Sequence, residues 1–188
     1  MDDVLIQKII QQIESHGINV RVSLPASVHD DLGRISGSTI TVVGDNEEPT
    51  IPAFTLCHLF GHLIQLTTPD QYRHLIDAVD HAPPVMLSDE FWVAFYSYER
   101  EAFAYGAVLL ERAAGHDEIL QKRYSIFMEM DFEHFREYMT TTKRLNRLQF
   151  RAELVRRYLE DENPLHIPLK PFAEVSWPSL KLIDAAIF

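Results

Sequence analysis

Cysteine is nearly missing from this 188-residue chain, which has only Cys57. A lone cysteine excludes an intramolecular disulfide and any metal centre of paired thiolates, and it suits a reducing, cytoplasmic compartment. Basic residues are also scarce, 17 against 28 acidic, for a net charge of −11. That balance argues against whole-surface attraction to nucleic acid or to anionic lipid. No apolar run approaches the roughly 18–20 residues of a membrane span. The opening Met1-Asp2-Asp3-Val4 has acid where a secretory signal carries basic residues. There is no Gly-rich phosphate loop, no Gly-x-Ser-x-Gly elbow and no internal repeat. What is present is a hydrophobic fraction of 46% with 11% aromatics, enough for a substantial core. The class is a soluble, acidic globular protein.

Val4 to Ile13 repeats apolar residues at three- and four-residue spacing and predicts an amphipathic helix, with Gly17 beyond its end. Ile18 to Leu24 alternates, and Ser38 to Val43 is apolar and β-branched, so both read as strands, with Gly33 and Gly37 as punctuation between them. A helix is expected from Ala53 to about Leu66, and a short one over Tyr72–Val79. A long one follows from about Asp89 to Ala114, with Ser88 as its cap and Gly115 as its stop. Residues 117–161 lack Gly and Pro and read as two or three helices. Four prolines leave the tail from Pro164 to Phe188 without a clear form. The expected fold class is α+β, mostly helical, with a small antiparallel or mixed sheet beside the Ala53–Leu66 helix. Residues 1–115 read as one domain, and 116–188 as a helical extension and tail packed on it.

The chemistry-bearing feature is His58 and His62. Four residues apart on a helix, their imidazoles share a face, the spacing with which two histidines bind one zinc ion. The same spacing suits two histidines packed or hydrogen-bonded on a helix face. A third ligand is sought in Glu99 or Glu101, which lie about 200° apart around their helix, so that only one can face the histidines. Glu101 shares a stripe with Tyr105 and Val108 and is the expected ligand. Glu99 is expected nearer Arg100 and the charged surface. His74 and His81 read as surface histidines. Cys57 points about 100° away from His58 and reads as a buried structural thiol. Gly61 inside the helix predicts close approach of a neighbouring strand.

Two stretches carry a family resemblance. Phe54-Thr55-Leu56-Cys57-His58-Leu59-Phe60-Gly61-His62-Leu63 resembles the active-site helix of the ImmA/IrrE family of bacterial zinc peptidases, typically Phe-Thr-Leu-Ala-His-Glu-x-Gly-His-Leu. Glu101-Ala102-Phe103-Ala104-Tyr105-Gly106-Ala107-Val108-Leu109-Leu110 is similar to its Glu-Ala-Asn-x-Phe-Ala-x-x-Leu-Leu helix. The strand Gly37–Val43 and the order of elements agree over roughly residues 1–115. The resemblance implies a gluzincin-like zinc site of His58, His62 and Glu101. It also implies a protein or peptide partner, of the type of a helix-turn-helix transcriptional regulator. The departure is Leu59, where the family has its glutamate. That glutamate is no metal ligand; it takes a proton from the attacking water and later passes one to the leaving amine. Losing such a base typically costs about 10²–10⁴-fold. Phe103 likewise replaces the family's asparagine, which makes the site drier. Asp89, Glu90 or Glu99 are the nearby carboxylates that a substitute base would be drawn from.

Three readings stay open on sequence. One is a pseudo-peptidase that keeps the fold and a zinc site and acts by binding. Another is an active peptidase with an altered base, and the third is a metal-free helical interaction protein. Outside the motifs, residues 140–160 hold six basic and two acidic residues, a balance of +4 against −15 for the rest of the chain. Lys143, Arg147 and Arg151 share one face there. No reading motif for nucleic acid accompanies them, and a solvated helix face is the first expectation, ahead of an internal contact with the acidic body or a partner protein. Phe127, Met130, Phe135, Tyr138 and Met139 read as a core stripe. Phe172, Trp177 and Phe188 are expected to cover an apolar groove.

Overall fold

The structure is a computed structural model that describes residues 2–27, 31–67, 72–75, 87–160 and 166–171. It is an α+β fold, mostly helical, with one small mixed sheet. Helix α1 (Asp2–Ser15) leads through Gly17, at φ 79°, into strand β1 (Asn19–Ser23). Strands β2 (Gly33–Ser36) and β3 (Thr39–Val43) form a hairpin, and the sheet order is β1-β3-β2. β3 runs parallel to β1, with Val20 opposite Ile40, and antiparallel to β2, with Ile35 opposite Ile40. β2 lies where the glycine pattern suggests only a loop. Its four residues are short, and Gly37, at φ 56°, makes the hairpin turn rather than ending the order. Of the alternating residues around β1, Ile18 is buried and Val20 half-buried, whereas Val22 and Leu24 are exposed.

Helix α2 (Thr50–Leu66) is buried along its whole length up to Gln65, as its nearly unbroken apolar composition requires. Helix α3 (Asp89–Ala114) runs against it, capped by Ser88, whose hydroxyl accepts from the Phe91 amide at 3.2 Å, and ended at Gly115. Residues 117–160 resolve into two helices, α4 (Glu118–Thr141) and α5 (Arg147–Glu160). The break falls at Thr142, in the left-handed region at φ 59°, and at Asn146, whose side chain accepts from the amides of Leu148 and Gln149. Most of the expected helix over Tyr72–Val79, the loop with Pro83 and Pro84, His81, and the tail aromatics Phe172, Trp177 and Phe188 lie outside the described residues; 73–75 is helical.

Glycine sets the closeness of α2 and α3. A Cβ on Gly61 would stand 1.9 Å from the Ala102 carbonyl oxygen, and one on Gly106 would stand 2.5 Å from that of Cys57. The pairs 57–106 and 61–102 fix an antiparallel crossing in which the two backbones touch. The close neighbour of Gly61 is therefore a helix, not a strand. The core stripe holds at Phe127, Met130 and Met139, whereas Tyr138 is exposed and Phe135 half-buried. The basic face of α5 is not simply solvated. Arg147 donates to the Gly44 carbonyl at 3.1 Å, and Arg151 reaches Asp45 at 3.0 Å and Glu47 at 2.8 Å, at the turn after β3. Among the described residues no helix is long and apolar enough to cross a membrane.

Candidate metal centre

Because α2 and α3 touch, whatever α3 carries on its Ala102–Gly106 face meets the histidines. Glu99 lies three residues before Ala102 and seven before Gly106, hence on that face. His58 Nε2 lies 2.9 Å from Glu99 Oε2, and His62 Nε2 lies 3.3 Å from the same oxygen. All three side chains are buried, with Glu99 only 6% exposed. His58, His62 and Glu99 form a group that can hold a metal ion, each offering one ligand atom.

The structure thus brings Glu99, and not the expected Glu101, to the histidines. Glu101 faces the neighbouring side of α3, where it accepts hydrogen bonds from Gln65, Tyr72 and Lys170. The sequence points Glu99 to the surface because Arg100 beside it suggests solvent. The signal that finds it is the Ala102-x-x-x-Gly106 spacing, which marks the face of closest approach. Asp131 of α4 also belongs to the cluster, its Oδ2 3.1 Å from His58 Nδ1. In sequence it continues the stripe of Tyr124 and Met128, an acid in line with buried residues. Cys57 is fully buried, and burial pushes its thiol up. His74, Asp89 and Glu90 are exposed, and none belongs to the group.

Hydrogen bonding fixes which imidazole atoms point inward. The Gln65 amide donates to two pure acceptors, the Tyr98 carbonyl at 2.8 Å and the Glu101 carboxylate at 3.0 Å. Its Oε1 therefore faces His62 Nδ1, 3.0 Å away, and that nitrogen must donate. In a neutral ring His62 Nε2 then presents a lone pair to the Glu99 carboxylate. His58 faces a carboxylate at both nitrogens, and one neutral ring carries only one proton. A cation between the two Nε2 atoms and Glu99 would satisfy these groups together, and the two rings stand close, 4.5 Å apart between centroids. Ligands around a tetrahedral ion with bonds of about 2.0–2.1 Å stand about 3.3 Å apart, and the two nitrogen-to-oxygen separations here are 2.9 and 3.3 Å.

Without an ion the charges are strongly perturbed. Burial disfavours a charged His58, but hydrogen bonds to Asp131 and Glu99 outweigh it and raise the imidazole to about 9. Burial likewise disfavours a charged Glu99, and the His62 and His58 rings overcome it, lowering the carboxyl to about 2. Glu99 Oε1 is buried with no hydrogen-bond donor among the described residues, and such an atom is costly unless a cation serves it. The donor set of two imidazoles and one carboxylate, each imidazole tied at its far nitrogen, suits a divalent metal ion.

Two motif positions beside the histidines are apolar and buried. Leu59 is buried in the core, and its Cδ1 fills the space a Cβ on Gly33 would need, 2.9 Å away. Phe103 stacks on His58 with ring centroids 3.9 Å apart. The hollow of about 350 Å³ lined by Lys8, Gln11, Gln12, Ser15, Arg112 and Ala113 shares no residue with the cluster. No family model, curated protein or solved structure matches this chain.

Proposed function

We propose that the protein is a metallopeptidase-like pseudo-peptidase that holds a zinc ion on His58, His62 and Glu99 and works by binding a peptide or regulatory protein. The observation that carries it is the convergence of both Nε2 atoms on one Glu99 oxygen while Gln65 and Asp131 occupy the far nitrogens. That is the arrangement of a metal site with its outer hydrogen bonds in place. The resemblance of residues 54–63 and 101–110 to the ImmA/IrrE motifs supports the peptidase-like origin. It carries over His58 and His62, but the third ligand is Glu99 rather than Glu101. Leu59 supports the loss of hydrolysis, since an alkyl side chain packed on Gly33 moves no proton. Zinc bound there would supply Lewis acidity, and its cross-linking of α2 to α3 would stabilise the fold.

Metal analysis of protein purified without a histidine tag tests this. The expected content is one zinc per chain, lost in His58→Ala and in Glu99→Ala but kept in Glu101→Ala. Wild-type protein with no zinc, and none taken up on dialysis, overturns the metal centre in favour of a metal-free helical interaction protein. Chelator-sensitive cleavage of an unstructured substrate by the wild type overturns the pseudo-peptidase reading and leaves an active enzyme with another base.

A further inference from the structure

Resting on the reading that His58, His62 and Glu99 hold a metal, the geometry points to Asp131 as the residue that positions His58 for it. Helix α4 carries Asp131. Its Tyr124 and Phe127 pack on Phe54 of α2, with ring centroids 5.1 and 5.7 Å away, and on Phe103 of α3, at 5.2 and 6.0 Å. These contacts lock α4 across the α2–α3 crossing. One turn beyond Phe127, Asp131 is carried to the far side of the His58 ring, where Oδ2 meets Nδ1 at 3.1 Å.

An imidazole offering Nε2 to a metal must keep its proton on Nδ1, and an acceptor at Nδ1 selects that tautomer. Asp131 is such an acceptor, and its charge raises the basicity of the ring. His62 is served in the same way by Gln65, which is neutral. The two ligands are thus held by unequal partners, one charged and one amide. The Asp131 side chain is 28% exposed while those of His58 and Glu99 are 9% and 8%, so it is the wet edge of an otherwise dry cluster. Helix α4, which lies beyond the stretch resembling the peptidase family, thereby becomes part of the centre.

Cobalt(II) titration of the chelator-stripped full chain tests this, with zinc affinity read by competition against a chromophoric chelator. Asp131→Ala is expected to bind one ion per chain about 10–100-fold more weakly, with a cobalt absorption band shifted from wild type because the His58 ring is no longer held. Asp131→Asn keeps an acceptor oxygen without the charge and is expected to fall between the two. Glu133→Ala, on the same helix but paired with Arg157, is expected to match wild type. Should Asp131→Ala unfold, Asp131→Asn decides. Weaker affinity with unchanged metal-free melting supports positioning, and wild-type affinity overturns it. Wild-type affinity and spectrum in a folded Asp131→Ala overturn it as well, with the metal centre intact. A wild-type chain that takes up neither ion removes the centre itself, a result distinct from both.

Discussion

Two buried ionic clusters join the C-terminal helices to the rest of the molecule, and they use different kinds of cation. At the turn after β3, Arg147 and Arg151 of α5 meet Asp45, whose side chain is 6% exposed like that of Arg147. Guanidinium stays charged at any accessible pH, so this cluster needs no proton or ion to carry its positive charge. At the α2–α3 crossing, Asp131 of α4 and Glu99 of α3 meet two imidazoles. Their charge is conditional on protons or on a metal. A cluster of fixed charges takes nothing from outside. A cluster whose positive charge must be supplied from outside is one through which folding and ligand are linked.

The largest effect comes from separating the helices that make the conditional cluster. Gly61→Ala forces a Cβ against backbone, the Ala102 carbonyl, which cannot move without shifting α3. The expected loss is about 4 kcal/mol or more, read by urea denaturation, together with loss of zinc. A variant within 1 kcal/mol of wild type would mean the crossing is looser than described. Next is the metal. Free zinc at about 1,000 times its Kd should stabilise the wild type by about 4 kcal/mol and Glu99→Ala scarcely at all, a difference visible in thermal melts with and without chelator. Equal gains in both proteins would place the ion elsewhere.

The fixed cluster should respond to substitution but not to zinc. Asp45→Ala leaves Arg147 buried without its counter-charge and removes the acceptor for the Glu47 and Glu48 amides. A cost of about 3 kcal/mol is expected, with the zinc-induced gain unchanged. Coupling between Asp45→Ala and His58→Ala above about 0.5 kcal/mol in a double-mutant cycle would show that the clusters are not independent.

The contrast also explains what could be read from sequence. Helices and caps were legible because their signals are local. Ser88, Gly115 and the period of α1 fix their ends without reference to the rest of the fold. His58 and His62 were legible for the same reason, four residues apart on one helix. The third ligand was not, because choosing Glu99 over Glu101 requires the rotation of α3 about its axis, which tertiary contact decides. Ala102 and Gly106 carry that information, but only once Gly61 is known to meet a helix, and Gly61 read alone suggests a strand. Asp131 and the Arg147–Asp45 contact join residues 73 and 102 positions apart, beyond any local period. Strand β2 escaped because four residues flanked by glycines look like a turn until β3 supplies their partners.

The smallest effect sharpens the comparison from the surface. Glu47 also pairs with Arg151, at 2.8 Å, but its side chain is 76% exposed, against 6% for Asp45. Both carboxylates touch the same guanidinium, so contact distance alone would rank them equal. Water and salt screen Glu47 and leave Asp45 unscreened. Glu47→Gln should therefore cost less than about 0.5 kcal/mol, and that little should vanish in 1 M salt. Asp45→Asn, with the same change of charge, should cost several times more and persist in salt. Denaturation of both variants at low and high ionic strength measures the difference. Equal, salt-sensitive losses would show that the turn after β3 is wet, and the fixed cluster would then be a surface pair rather than a buried tie.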